Sequence, residues 1–164
     1  MSKEVISLNH RRSQILIDSG LKLVAEGKYE EARESFRKAN KEWQTAESFT
    51  YWGWMEYQLG NIERAVSLCK KAIKIDPDLG NPYNDIGSYL VVLGREDEAL
   101  DWFQKAIQAK NYDARHYPHI NLGRIFLSRN LPVRALQEFR KALSYCPDDS
   151  AIQEAVRTIS ETLH

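Results

Sequence analysis

Apolar and small residues recur along this chain at helical spacing, with charged residues filling the positions between them. In EDEALDWFQKAI, residues Ala99, Phe103 and Ala106 fall at i, i+4 and i+7 and share one face of a helix. Ala32, Phe36 and Ala39 repeat that face, as do Ala65, Cys69 and Ala72, and again Ala135, Phe139 and Ala142. Ahead of each set stand two residues seven apart: Gly20 and Gly27, Gly53 and Gly60, Gly87 and Gly94, Gly123 and Asn130. The later residue of each pair follows an apolar run and suits the left-handed conformation that ends a helix. The earlier one falls mid-helix, where glycine costs roughly 1 kcal/mol against alanine, so it predicts close approach by a second helix.

In register, Ala32, Ala65, Ala99 and Ala135 are separated by 33, 34 and 36 residues, the period of a helical solenoid. Each unit reads as helix, turn, helix. Pro77 and Pro147 close units, and Pro82 and Pro118 suit the first turn of a following helix, with His116 left outside it. After Pro147, residues Asp148, Asp149 and Ser150 offer N-caps to a last helix with Ile152, Ala155, Val156, Ile159 and Leu163 at helical spacing.

The pattern Tyr83-x-x-Ile86-Gly87, Gly94, Ala99, Phe103, Ala106, with relatives ending in Asp76-Pro77 and Cys146-Pro147, resembles the tetratricopeptide repeat. The implied fold is all-α: a right-handed α-solenoid of four helix-turn-helix units (13–45, 46–79, 80–113 and 116–149) and a C-terminal capping helix over 150–164. Residues 1–12 form an N-terminal extension, mobile or packed on the first repeat. Three features depart from the family pattern. Gln44 stands where a closing proline is usual, Asn130 replaces a turn glycine, and two extra residues fall in NYDARHYP. GNPYNDIG and RHYPHINLGR also resemble segments of small stand-alone bacterial repeat proteins.

Composition narrows the partners. Twenty-three Lys and Arg match twenty-three Asp and Glu, so no net field draws the chain to nucleic acid or an anionic membrane. Arg11 and Arg12 precede Ile15, Leu16 and Ile17, but Asp18 and the short apolar run argue against a twin-arginine signal. No stretch approaches the roughly 20 apolar residues of a membrane-spanning helix. Cys69 and Cys146 lie far apart and read as reduced thiols of a cytoplasmic protein.

Catalytic signals are thin, and the expectation is a non-enzyme without cofactor or metal. Gly20 to Lys28 lacks phosphate-loop spacing, with Tyr29 where Ser or Thr belongs. His116 and His119 lack a third metal ligand nearby, and no motif activates a nucleophile.

The resemblance implies instead that the first helices line a concave groove for a peptide or helix of another protein, its identity open. Carried onto this chain, the family's groove positions are Ile17, Leu21 and Val24 in the first unit and Tyr51, Trp54 and Tyr57 in the second. They are Asn84, Asp85 and Ser88 in the third, and Tyr117, Asn121 and Arg124 in the fourth. Val91, Val92, Leu127 and Ser128 occupy further groove positions. The family's chaperone-carboxylate clamp is not matched, since Ile17 and Leu21, or Thr50 and Trp54 one unit on, stand where Lys and Asn belong. Tyr51, Trp54 and Tyr57 serve either as ligand contacts or as packing between neighbouring helices. Asp85 and Arg124 are candidates to pair across adjacent helices. The second expectation is self-assembly, with the groove filled by the chain's own N-terminal segment or by another copy.

Overall fold

The computed structural model describes residues 3–163. Among them run nine helices: α1 (Lys3–Ala25), α2 (Tyr29–Glu42), α3 (Ala46–Gln58), α4 (Ile62–Ile75), α5 (Asn81–Val92), α6 (Glu96–Gln108), α7 (His116–Ser128), α8 (Pro132–Tyr145) and α9 (Ser150–Thr162). Each helix packs on the next along the chain, α1 on α2 through to α8 on α9, so the stack is an all-α solenoid.

The small residues explain the stack. A Cβ on Gly20 would lie 2.6 Å from the Phe36 ring, one on Gly87 2.6 Å from Phe103, and one on Gly123 2.8 Å from Phe139. In the second unit the same place opposite Gly53 is taken by the smaller Cys69, 3.1 Å away. Each mid-helix glycine is therefore the notch into which its unit's second helix sets its largest face residue. The four alanines Ala32, Ala65, Ala99 and Ala135 are fully buried beside them. At the turns, Gly60 has φ 83°, and Asn130 reaches φ 56° without a glycine's freedom. Asparagine tolerates that region better than most residues, which accounts for the substitution.

The chain's two ends differ from the repeats. At the C-terminal end, Asp149 accepts hydrogen bonds from the backbone N–H groups of Ala151 and Ile152 at 2.9 and 3.0 Å and starts α9. Ile152 and Ile159 of α9 are buried with Leu136, Phe139 and Ala142 of α8. At the N-terminal end, Lys3–Arg12 are not a separate mobile segment but pack on the first repeat. They continue α1 as helix, with His10 set edge-on against Trp43, ring centroids 6.1 Å apart. Ser13 is buried, and its hydroxyl donates to the Trp43 carbonyl at 3.0 Å.

The two extra residues before α7 build a strap. The Asn111 N–H donates to the Asp78 carbonyl at 2.9 Å and the Gly80 N–H to the Asn111 carbonyl at 3.0 Å, tying this loop to the one before α5. Tyr112 is buried against Gly80, where any Cβ would strike the ring. Arg115 donates to the carbonyls of Ala109 at 2.7 Å and Ile107 at 3.3 Å, satisfying the end of α6. α7 then begins at His116, two residues before Pro118, so His116 is inside the helix and not outside it as the proline suggests. Proline lacks only a backbone N–H that the first turn leaves unpaired anyway, so it is equally at home two residues in.

Candidate functional site

Helices α3, α5 and α7 form the inner side. α3 touches α5 and α5 touches α7 across the intervening even helices, as happens on the crowded inside of a curved stack. Between them opens a cleft of about 490 Å³ lined by Tyr57 of α3, Ser88, Val91 and Val92 of α5, Glu96 of α6, and Asn121, Arg124, Ile125 and Ser128 of α7. Val92 is 56% exposed at its edge, and Leu127 and Tyr117, further along α7, are 41% and 53% exposed. The Asn121 amide donates to Ser88 Oγ at 3.3 Å and Asn84 Oδ1 at 3.4 Å, both long, so it is weakly held. Arg124 is exposed.

Five of the twelve groove candidates, Tyr57, Asn84, Ser88, Asn121 and Arg124, are gathered here by the cleft lining and the Asn121 bonds. Others lie elsewhere. Ile17 is only 3% exposed and packs with Phe36 and Met55, so it belongs to the core and not to the groove lining. The cause is its register on α1: with Ser13, Gly20 and Val24 it forms the stripe turned toward α2 and α3. Val24 is half-buried against the same core, while Leu21 is 36% exposed on the open side. Tyr51 stacks on Phe36 at 5.4 Å and Trp54 is half-buried on that core, so both serve inter-helix packing. Tyr57 does both jobs. It stacks on Tyr89 at 4.6 Å and still lines the cleft. Glu96 and Ile125 lie outside the groove register in the sequence: Glu96 opens an outer helix, and Ile125, 3% exposed, forms the floor.

Asp85 is half-buried on α5. Burial pushes its carboxyl up to about 7, opposed by a hydrogen bond from Asn84, and among the described residues no ion pair joins Asp85 to Arg124. Its charge in turn raises the Cys69 thiol and the Tyr89 and Tyr112 hydroxyls, each of which is already pushed up mainly by burial. A carboxyl whose folded value exceeds its unfolded one destabilises the fold when ionised. The contribution of Asp85 to stability is then most favourable at low pH and falls as pH rises from about 4 to about 7. Asp85→Asn is expected to leave stability at pH 4 near the parent's and to raise it by about 1–3 kcal/mol at pH 8. Urea titrations at the two pH values check this; a variant weaker than the parent at pH 8 would contradict it.

His119 is buried, and its Nδ1 lies 2.7 Å from Glu138 Oε2; Lys141 donates to Glu138 Oε1 at 2.7 Å. Burial raises the Glu138 carboxyl, but the bonds from His119 and Lys141 outweigh it and hold the group below its ordinary value. His119 is thus committed to joining α7 to α8. His116 faces Tyr117 instead, ring centroids 4.1 Å apart. A buried acid at Glu138 carries no periodicity signal, because an apolar residue would fill the position equally well.

A sequence profile of the tetratricopeptide repeat matches residues 17–79, and a second profile of the same repeat matches 81–113. The chain belongs to the tetratricopeptide repeat family. Members of this family act as protein–protein interaction scaffolds and are in general not enzymes. Among solved structures, the chain is similar to the protein described in a functional characterization of pilF from Pseudomonas aeruginosa, with TM-score 0.86 and 21% identity over 94% of this chain and 70% of that one. It is similar to MamA, with TM-score 0.71 and 20% identity over 91% of this chain and 86% of that one. It is also similar to YrrB, described as a TPR protein with an unusual peptide-binding site, with TM-score 0.68 and 20% identity over 88% of this chain and 74% of that one. At these identities the likeness is one of fold. No curated protein matches the chain by sequence. Among the described residues no helix is long and apolar enough to cross a membrane.

Proposed function

We propose that this tetratricopeptide repeat protein is a non-catalytic cytoplasmic adaptor that holds an extended peptide or a helix of a partner protein in the cleft between α3, α5 and α7. The observation that carries this reading is the composition of that cleft. Tyr57, Val91 and Val92 offer apolar surface beside Ser88, Asn121 and the exposed cation Arg124. A short peptide needs both, apolar anchors for affinity and weakly committed polar groups for its backbone. YrrB, a relative in fold, is described as peptide-binding, which agrees with this reading. The twelve groove positions reduce to those that remain accessible: Leu21, Tyr57, Asn84, Ser88, Tyr117, Asn121 and Arg124, with Asp85, Tyr51 and Trp54 acting mainly from behind. The alternative in which the chain's own N-terminal segment fills the groove is disfavoured, because Lys3–Arg12 run on as helix α1.

The test uses positions that can change without unfolding the stack. Val92→Asp combined with Arg124→Ala is expected to melt within a few degrees of the parent and to release proteins that the parent captures from source-cell lysate, with affinity reduced tenfold or more. Lys74→Ala, exposed on α4, is expected to retain them. If the cleft variant keeps every protein bound by the parent, binding lies elsewhere on the molecule.

A further inference from the structure

A second cleft lies away from the inner side, between α4 and α6, at the end where the chain leaves α4 for α5. It measures about 500 Å³, within the range of ligand-binding clefts. Ile73, Pro77, Tyr83 and Trp102 supply its apolar lining. The Trp102 ring is half-buried and tilted against Tyr83, centroids 6.1 Å apart, and the Tyr83 hydroxyl is fixed by donating to the Pro77 carbonyl at 3.0 Å. Two ammonium groups from successive units converge on the ring: Lys105 Nζ lies 4.5 Å and Lys70 Nζ 6.0 Å from its centroid. Both lysines are exposed.

Which charges here are already used decides the occupant. Asp78 takes Lys110 at 3.0 Å, and Asp76 accepts the Asp78 N–H at 2.9 Å. Glu98 is gripped at both oxygens by Arg95, at 2.6 and 2.7 Å; that bond is the main cause of its lowered carboxyl, to which Lys70 adds least, from beyond ion-pair distance. α4 carries no acid after Glu63, and Asp101, one turn before Lys105, makes no ion pair with it. Among the described residues, then, Lys70 and Lys105 are the cations of this cleft that no acid of the chain neutralises. We infer that the cleft docks an acidic segment of a partner protein, whose carboxylates pair with Lys70 and Lys105 and whose apolar side chain rests on Ile73, Pro77 and Trp102. Each lysine keeps its stem along the apolar lining while its ammonium meets the carboxylate. A nucleic acid fits less well. Base stacking needs an open ring face, whereas Lys105 already lies over Trp102, and Asp76 and Asp78 stand at the Pro77 end. This surface shares no lining residue with the cleft between α3, α5 and α7, and both can be occupied at once.

Synthetic peptides with blocked ends test this on the full chain. One carries a leucine between two runs of glutamate; in the controls serine replaces the leucine, or lysine replaces the glutamates. Binding is read by fluorescence anisotropy of the labelled peptide and by the NMR signal of the Trp102 indole N–H, picked out among those of the four tryptophans by its loss in Trp102→Phe. The glutamate peptide with leucine is expected to bind and to shift that signal, with affinity falling as salt is added. The serine version is expected to bind more weakly and the lysine version not at all. Lys70→Met with Lys105→Met keeps an apolar stem over the ring and removes only the charge; it is expected to melt like the parent and to lose tenfold or more in affinity. Lys70→Glu with Lys105→Glu is expected to take the lysine peptide instead, which a disturbance of packing would not produce. Val92→Asp with Arg124→Ala is expected to bind the glutamate peptide as the parent does, so the outcome is independent of the inner cleft. Absence of binding by the glutamate peptide, binding indifferent to the methionine pair, or uridylate RNA held as tightly through the same two lysines overturns the proposal.

Discussion

Phe103→Ala is expected to destabilise the fold by about 3–5 kcal/mol, read as a lowered urea midpoint. The ring is fully buried in the central core cluster with Ala65 and Cys69 of the second unit, Ile86, Tyr89, Leu90 and Ala99 of its own and Leu122 of the fourth, so truncation leaves a void in a core shared by three consecutive units. The neighbouring glycine turns this into a sharper test. A Cβ at Gly87 meets the Phe103 ring at 2.6 Å, so Gly87→Ala alone is expected to cost about 1–3 kcal/mol through overpacking. With the ring gone, the same methyl has room, and the two costs should fall well short of adding. Simple additivity would mean that glycine and aromatic do not form the contact that defines each unit. Gly53→Ala meets Cys69 Sγ and the Ala65 carbonyl oxygen, both at 3.1 Å, and should be milder, because neither contact is as close as that of Gly87 with the Phe103 ring.

Removal of residues 150–164 is expected to have the second large effect. Ile152 and Ile159 are 3% and 6% exposed, and burying side chains of that size contributes about 1.5–3 kcal/mol each, or about 3–6 kcal/mol for the two. The deletion also uncovers Leu136, Phe139 and Ala142 on α8, an apolar face that should drive aggregation. Ile159→Ala, which keeps the helix, is expected to lower the melting temperature without aggregation. A truncated chain as soluble and stable as the parent would show that α9 is dispensable to the stack.

Much of this architecture is legible in the sequence. The face formed by Ala99, Phe103 and Ala106 and the turn residues Gly94 and Asn130 are local features, decided by the 3.6-residue period and by which residues tolerate positive φ. The cap at Asp149 is equally local, since a short acceptor side chain needs only the next two or three N–H groups. The site was less legible. The family's groove register names Ile17 and Tyr57 alike, yet Ile17 is packed on Phe36 and Met55 while Tyr57 lines the cleft with residues of α5 and α7.

What the sequence by itself determined is the succession of helices, the turn residues between them and the face that each second helix buries, because those follow from spacing within one segment. Tertiary structure alone decided which groove positions stay open, that burial pushes Asp85 up to about 7, and that His119 is tied to Glu138. It also decided that Lys3–Arg12 extend α1. Those outcomes depend on distances between helices far apart in the chain and on the crowding along the inside of the stack, and no periodicity within one helix encodes either.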